Sequence, residues 1–212
     1  MRLLAGWTHV DASERVLTAD VLGPDEEPTD AEAALDLMGL AEDFAAAARA
    51  FVESVQAVAE ATTPDQTVPI LLLELSALLA AGAPLGAIVD VEPQDRFEPD
   101  AGYEVDVDLV RSRMRELLGP ADDYVDVFDP YATGQIVPAR LSDGLADICA
   151  ELLHGLSHHL AGRTLEALWW WQFSYLTTWG QAASSTLRAL QSLLAHVRRD
   201  VPLDVSPDVI PD

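Results

Sequence analysis

Residues 141–199, LSDGLADICAELLHGLSHHLAGRTLEALWWWQFSYLTTWGQAASSTLRALQSLLAHVRR, decide the fold. At about 100° per residue, Leu145, Ile148, Cys149, Leu152, Leu156 and Leu160 gather on one side of a helix from Asp143 to about Ala161. Ser142 stands at its expected N-cap, and Gly162 closes it. Thr164 opens a longer helix predicted to reach Arg199, with Gly180 as a kink point. Its broad apolar face carries Leu165, Leu168, Trp169, Leu176, Trp179, Ala183, Leu187, Leu190, Leu194 and Val197, with Trp170 nearly opposite. Aromatic residues around so much of the circumference imply a helix covered on several sides. Trp169, Trp171, Phe173, Tyr175 and Trp179 are the expected aromatic core cluster, although stacked rings can also receive bases or a flat ligand. Buried indole N–H groups need acceptors, which Asp143, Asp147 or backbone carbonyls can supply.

The opposite side of the first helix is polar. Asp143, Asp147, Glu151, His154 and His158 fall within a wedge of about 80°. Such a stripe suits the solvated face of an amphipathic helix, with acids toward the positive N-terminus and imidazoles toward the C-terminus. The same five residues are candidate ligands for a divalent metal, or groups for acid–base chemistry. Glu151-x-x-His154 has di-iron spacing, but no second Glu-x-x-His occurs to complete such a centre. His159 lies toward the apolar side, as a core or boundary histidine.

Working outward, Thr29-Asp30-Ala31-Glu32 has capping-box spacing and opens a long Ala-rich helix. Leu37, Leu40, Phe44, Ala48, Phe51, Val55 and Val58 mark its inner face, Gly39 is a candidate break after a short first piece, and Thr62-Thr63-Pro64 stops it. Pro69 suits the first turn of a Leu-rich helix toward Gly82, followed by a short helix or turn over 83–91. Residues 92–105 read as an acidic loop and 106–118 as a helix stopped by Gly119-Pro120. Tyr124–Tyr131 is a turn of helix or a short extended piece, and Ile136-Val137 a weak strand candidate. The expected architecture is all-α: a single-domain antiparallel helical bundle over 29–199 with long C-terminal helices, a flexible acidic leader (1–28) and a flexible tail (200–212).

Half of the 212 residues are apolar, which excludes a wholly disordered chain. The 12 basic residues are all Arg, against 36 acids, for a net charge of −24. The absence of Lys and Asn reads as the mark of a GC-rich genome. Residues 1–140 hold 28 acids and eight Arg, whereas 141–199 hold four of each. So acidic a chain repels phosphate backbones, which argues against direct nucleic-acid binding. A single cysteine, Cys149, permits no internal disulfide and no zinc spacing built on thiols. The apolar run 68–91 is interrupted by Glu74, Pro69, Gly82, Pro84 and Gly86 and has acidic flanks, so a buried core segment is expected rather than a membrane span. The N-terminus is too short in apolar residues for a signal-peptide core, and a cytoplasmic location is expected.

Leu141-Ser142-Asp143-Gly144-Leu145-Ala146-Asp147-Ile148, Trp169-Trp170-Trp171-Gln172-Phe173-Ser174-Tyr175, Trp179-Gly180 and Leu187-Arg188-Ala189-Leu190 together resemble a bacterial domain-of-unknown-function family, DUF5063. Leu71-Leu72-Leu73-Glu74-Leu75, Gly86-Ala87-Ile88-Val89-Asp90 and Tyr124-Val125-Asp126-Val127-Phe128-Asp129-Pro130 agree, so that the resemblance spans roughly residues 36–199. It implies a helical domain, commonest in high-GC Gram-positive bacteria, and supplies no activity. It also implies a link to DNA repair, through a recombination-mediator gene near genes of the family. This chain departs from the pattern at Gly144, where Asp is frequent, and at Thr178, where His is frequent. His154 and His158 lie outside the pattern.

No Ser-His-Asp arrangement, phosphate loop or dinucleotide fingerprint is present. The leading expectation is therefore a non-catalytic binding or regulatory module, without a cofactor, whose acidic part meets an unidentified protein partner with a basic surface. A metal-dependent or acid–base enzyme using the stripe is the alternative, and a nucleic-acid mimic a third. The acidity also suits plain solubility or a saline habitat.

Overall fold

The computed structural model describes residues 30–60, 66–93, 106–127, 130–131, 136–200 and 203. The leader 1–28, the Thr29 cap, the Thr62-Thr63-Pro64 stop, most of the acidic loop and most of the tail lie outside the described residues. The chain falls into two compact units, Met1–Ala34 and Leu35–Asp212. Of the first, only Asp30–Ala34, the opening of a helix, is described.

That helix, α1, spans Asp30–Glu60 without a break at Gly39. In the second unit it buries Phe44, Ala48, Phe51, Val55 and Val58, the inner face anticipated from spacing. Helix α2 runs through Thr67–Ala87, five residues past the expected stop at Gly82. Pro84, in the last turn, lacks the N–H that would bond one turn back, yet the helix continues to Ala87 and Ile88 N donates to Pro84 O at 3.1 Å. Leu71, Leu75, Leu78, Gly82 and Leu85 form its buried face. Among the described residues α2 is the one helix long and apolar enough to cross a membrane by length and composition.

Helix α3 (Asp108–Leu118) leads through a 3-10 turn (Gly119–Ala121) into strand β1 (Asp123–Val127), which pairs antiparallel with β2 (Ile136–Arg140). Asp123 faces Arg140 in this register, and Arg140 Nε donates to Asp123 Oδ1 at 3.0 Å. The fold is thus mostly helical but not wholly so, because the β-branched and aromatic residues of 123–127 and 136–140 pair as extended chain. Tyr124 anchors the sheet, its hydroxyl 2.6 Å from Ser185 Oγ. Burial raises the Tyr124 pKa, against the lowering effect of that bond.

Helix α4 spans Leu141–Leu160, and Gly162, at φ +76°, follows it. The long last helix is instead two, α5 (Thr164–Thr177) and α6 (Trp179–Arg198). Thr178, at φ −139° and ψ −80°, breaks it two residues before the expected kink. α4 packs against α3, α5 and α6, and α2 against α5 and α6.

Trp171 and Trp179 are fully buried at the centre of these contacts. Phe44 lies against both, with ring centroids 5.1 and 5.5 Å away. Two glycines make room for them. A Cβ on Gly155 would overlap the Trp171 indole, and one on Gly82 would stand 2.5 Å from the Trp179 ring. A methyl group at Gly39, by contrast, would meet nothing within 4 Å. Urea unfolding is expected to show Gly155→Ala destabilised by about 1–3 kcal/mol through overpacking, and Gly39→Ala stabilised by about 0.5–1 kcal/mol through lower unfolded-state entropy.

Candidate functional site

The polar stripe of α4 separates into two parts. Asp143 and Asp147, one turn apart in the N-terminal half, face α3. Arg111 Nη1 donates to Asp143 Oδ1 at 2.9 Å and Arg111 Nη2 to Asp147 Oδ1 at 3.0 Å. The hydrogen bond to Asp143 is the main influence raising the Arg111 pKa, and desolvation opposes it. Asp143 Oδ2 is also 3.8 Å from Arg140 Nη1. These carboxylates clamp α3 to α4, and they do not accept from the indoles. Trp171 Nε1 donates to Leu152 O at 3.3 Å and Trp179 Nε1 to Trp171 O at 3.1 Å. Backbone carbonyls, the other anticipated acceptors, satisfy these two indoles, while the buried Nε1 of Trp170 has no hydrogen-bond partner among the described residues.

At the other end, His154 Nε2 and His158 Nε2 are 3.3 Å apart. The His154 ring lies on Trp170, with centroids 3.9 Å apart. His158 is buried, and Glu151 and His154 are half-buried, so this end of the stripe is not a solvated face. Asp143 and His158 are 15 residues apart, or about 22 Å along a helix, too far to meet at one ion. Among the described residues no group of three or more His, Cys, Asp or Glu is arranged to hold a metal ion.

The aromatic cluster also divides. Trp171 and Trp179 are core, Trp169 and Tyr175 are half-buried, and Phe173 is 49% exposed and stacked on Trp169 at 5.8 Å. Trp170, expected opposite the buried face, is itself half-buried beneath His154. Leu176, Leu160 and Val197, placed on apolar faces by the wheel, are 54%, 76% and 69% exposed. Leu176 and Val197 belong to faces drawn across the Thr178 break, which resets the helical phase, and Leu160 sits in the terminal turn of α4. His159 is a boundary histidine, its Nε2 3.1 Å from Glu42 Oε1.

Two polar residues that organise this region escape the sequence. Asp122 is buried, and its Oδ1 accepts from Ser142 N and its Oδ2 from Ser142 Oγ, both at 2.7 Å. Ser142 is therefore not the N-cap. It lies inside the first turn of α4, and the capping carboxylate comes from 20 residues upstream. Gln172 Nε2 donates to Leu85 O (3.0 Å) and Val89 O (3.2 Å), while its Oε1 accepts from Val91 N at 2.7 Å. It ties α5 to the end of α2. Only an Asp just before a strand and a Gln inside an aromatic run mark them, and neither signal points at a partner.

The fold and its stripe define a helical domain with one small sheet, braced by Arg111 and Asp122. The chain belongs to the DUF5063 family, a domain of unknown function, matched over residues 36–196. Its fold is similar to the crystal structure of protein BF1032 from Bacteroides fragilis, with a TM-score of 0.53 and 19% identity over 84% of this chain and 95% of that one. No curated protein matches.

If the carboxylates act as braces, their removal is read in stability. Asp122→Ala leaves the buried groups of Ser142 without acceptors and is expected to lose about 1.5–3 kcal/mol, whereas Asp147→Asn, on an exposed pair, loses under about 1 kcal/mol. Equilibrium unfolding of the two variants checks this order. Burial pushes the Cys149 thiol up to about 12, so a thiol reagent at pH 8 is expected to label it only after denaturant is added.

Proposed function

We propose that the protein is a non-catalytic binding or regulatory module of the cytoplasm, which presents an acidic helix face to a protein partner with a basic surface. The observation that carries this reading is the solvent side of α1. Helix α1 holds seven acids and one Arg, and Asp36, Glu42, Asp43, Glu53 and Glu60 are all exposed. Glu42 reaches His159. Among the described residues, no ion pair ties Asp36, Asp43, Glu53 or Glu60 to a neighbouring helix as Asp143 and Asp147 are tied, so their charge is available for long-range attraction. The same face repels phosphate backbones. A DNA-repair protein, which itself needs a cationic surface, is the partner class that agrees with this charge. The short connection 161–163 between α4 and α5 supports an antiparallel bundle as the scaffold.

The full chain, immobilised, is used to capture partners from native lysate at low and high salt. A partner retained at low salt, released at high salt, and bound at least about tenfold more slowly by an Asp36→Asn, Asp43→Asn, Glu53→Gln, Glu60→Gln variant is the expected result. Equal capture by that variant overturns the acidic-face reading. Release of the partner by duplex DNA identifies its basic surface as a nucleic-acid site, the behaviour of a mimic.

A further inference from the structure

We propose that His154 and His158 form a two-imidazole site for a tetrahedral divalent cation of the zinc class. The pair stands four residues apart on α4, so both side chains rise from the same face one turn apart. Their Nε2 atoms, the outer nitrogens, converge to 3.3 Å. Zinc–imidazole bonds run about 2.0–2.1 Å, and two such bonds to nitrogens at this separation enclose about 107°, close to the tetrahedral angle. A square-planar ion needs its neighbouring nitrogens about 2.9 Å apart with the same bond length, so the geometry favours zinc over copper(II) or nickel(II).

The rings are held where the ion needs them. His158 is 7% exposed, and His154 is seated on the Trp170 indole of α5. Neither nitrogen has to travel far: the hydrogen bond that links them now is replaced by two bonds to the metal. One imidazole donates its Nε2 proton in that hydrogen bond. On metal binding this ring adopts the tautomer protonated at Nδ1, which leaves both Nε2 lone pairs for the ion and both rings neutral. The remaining coordination positions go to water or a small exogenous ligand. Asp143 and Asp147 do not take part, since Arg111 holds them about two turns or more from His154. Cys149 is no competitor, because its buried thiol resists ionisation. The site is independent of the acidic face of α1.

The test is calorimetric titration of the untagged full chain with zinc chloride in excess magnesium, which occupies exposed carboxylates as a hard cation. Trp emission is followed in parallel, since Trp170 lies against a ligand ring. The expected result is saturable binding of one zinc per chain, a change in Trp emission, and a zinc-dependent rise in melting temperature. His154→Gln and His158→Gln should each weaken binding at least about tenfold, as loss of one of two protein ligands requires, and abolish the melting rise. The metal-free melting temperature of each variant is measured first, and the comparison is made on the change that zinc adds to it. No saturable binding in excess magnesium overturns the proposal. So does binding of the same strength and stoichiometry in His154→Gln.

Discussion

The seating of two indoles on glycine backbone is the constraint from which the rest of the second unit follows. Trp171 lies where a side chain on Gly155 would be, and Trp179 where one on Gly82 would be. A flat ring of that size approaches a helix closely only when the helix offers no Cβ at the contact, so these glycines let α5 close on α4 and α6 close on α2. Each indole then finds a backbone carbonyl for its N–H, which removes the main penalty of burying tryptophan. Phe44 closes the cluster from α1. The chain break at Thr178 belongs to the same arrangement. Trp171 and Trp179 are eight residues apart, and one of them serves the other, because the Trp171 carbonyl accepts from the Trp179 indole across the bend.

Helices α1, α3 and α4 were legible to within about two residues wherever they are described, because burial on one face leaves a 3.6-residue signature that does not depend on what covers it. Features that join elements left no such mark. The break at Thr178 is hidden because both of its sides keep a helical period, and a wheel drawn through it misplaced Leu176 and Val197. Asp122 and Arg111 act across 20 and more residues, so their roles depend on which helices adjoin. The α4 stripe shows both situations. Its alignment was visible in the spacing, but whether its members faced water, α3 or Trp170 was decided by neighbours that periodicity does not name. The strands at 123–127 and 136–140 are short, and only their pairing with each other distinguishes them from loop.

Charge is distributed according to whether a carboxylate has a cation within reach. Only 12 Arg stand against 36 acids, and the pairs they make with Asp143, Asp147 and Asp123 lie where elements must be held together. Arg111 serves Asp143 and Asp147 at once, and Arg140 serves Asp123 beside the start of α4. The unmatched acids of α1 stay at the surface, where water screens their mutual repulsion. An acidic composition therefore does not dissolve the fold, because the core cluster is built from apolar side chains and the buried Asp122 and Gln172 have their partners.

Gly144 and Thr178 differ in what they do for this core. Gly144 lies on α4 against α6, and a Cβ there would stand 2.5 Å from Thr186 Oγ1. A side chain at 144 would require Thr186 to turn its hydroxyl away or the two helices to move apart, so Gly144 and Thr186 belong together as one solution for the α4–α6 spacing. Thr178 is exposed at the break between α5 and α6, held by a hydrogen bond from its own amide to Ser174 O at 2.8 Å. A histidine there would change the surface of the bend and leave the seats of both indoles as they are. Position 144 is thus tied to packing and position 178 is free of it, which is why the indole–glycine contacts on which the fold depends place no constraint on Thr178.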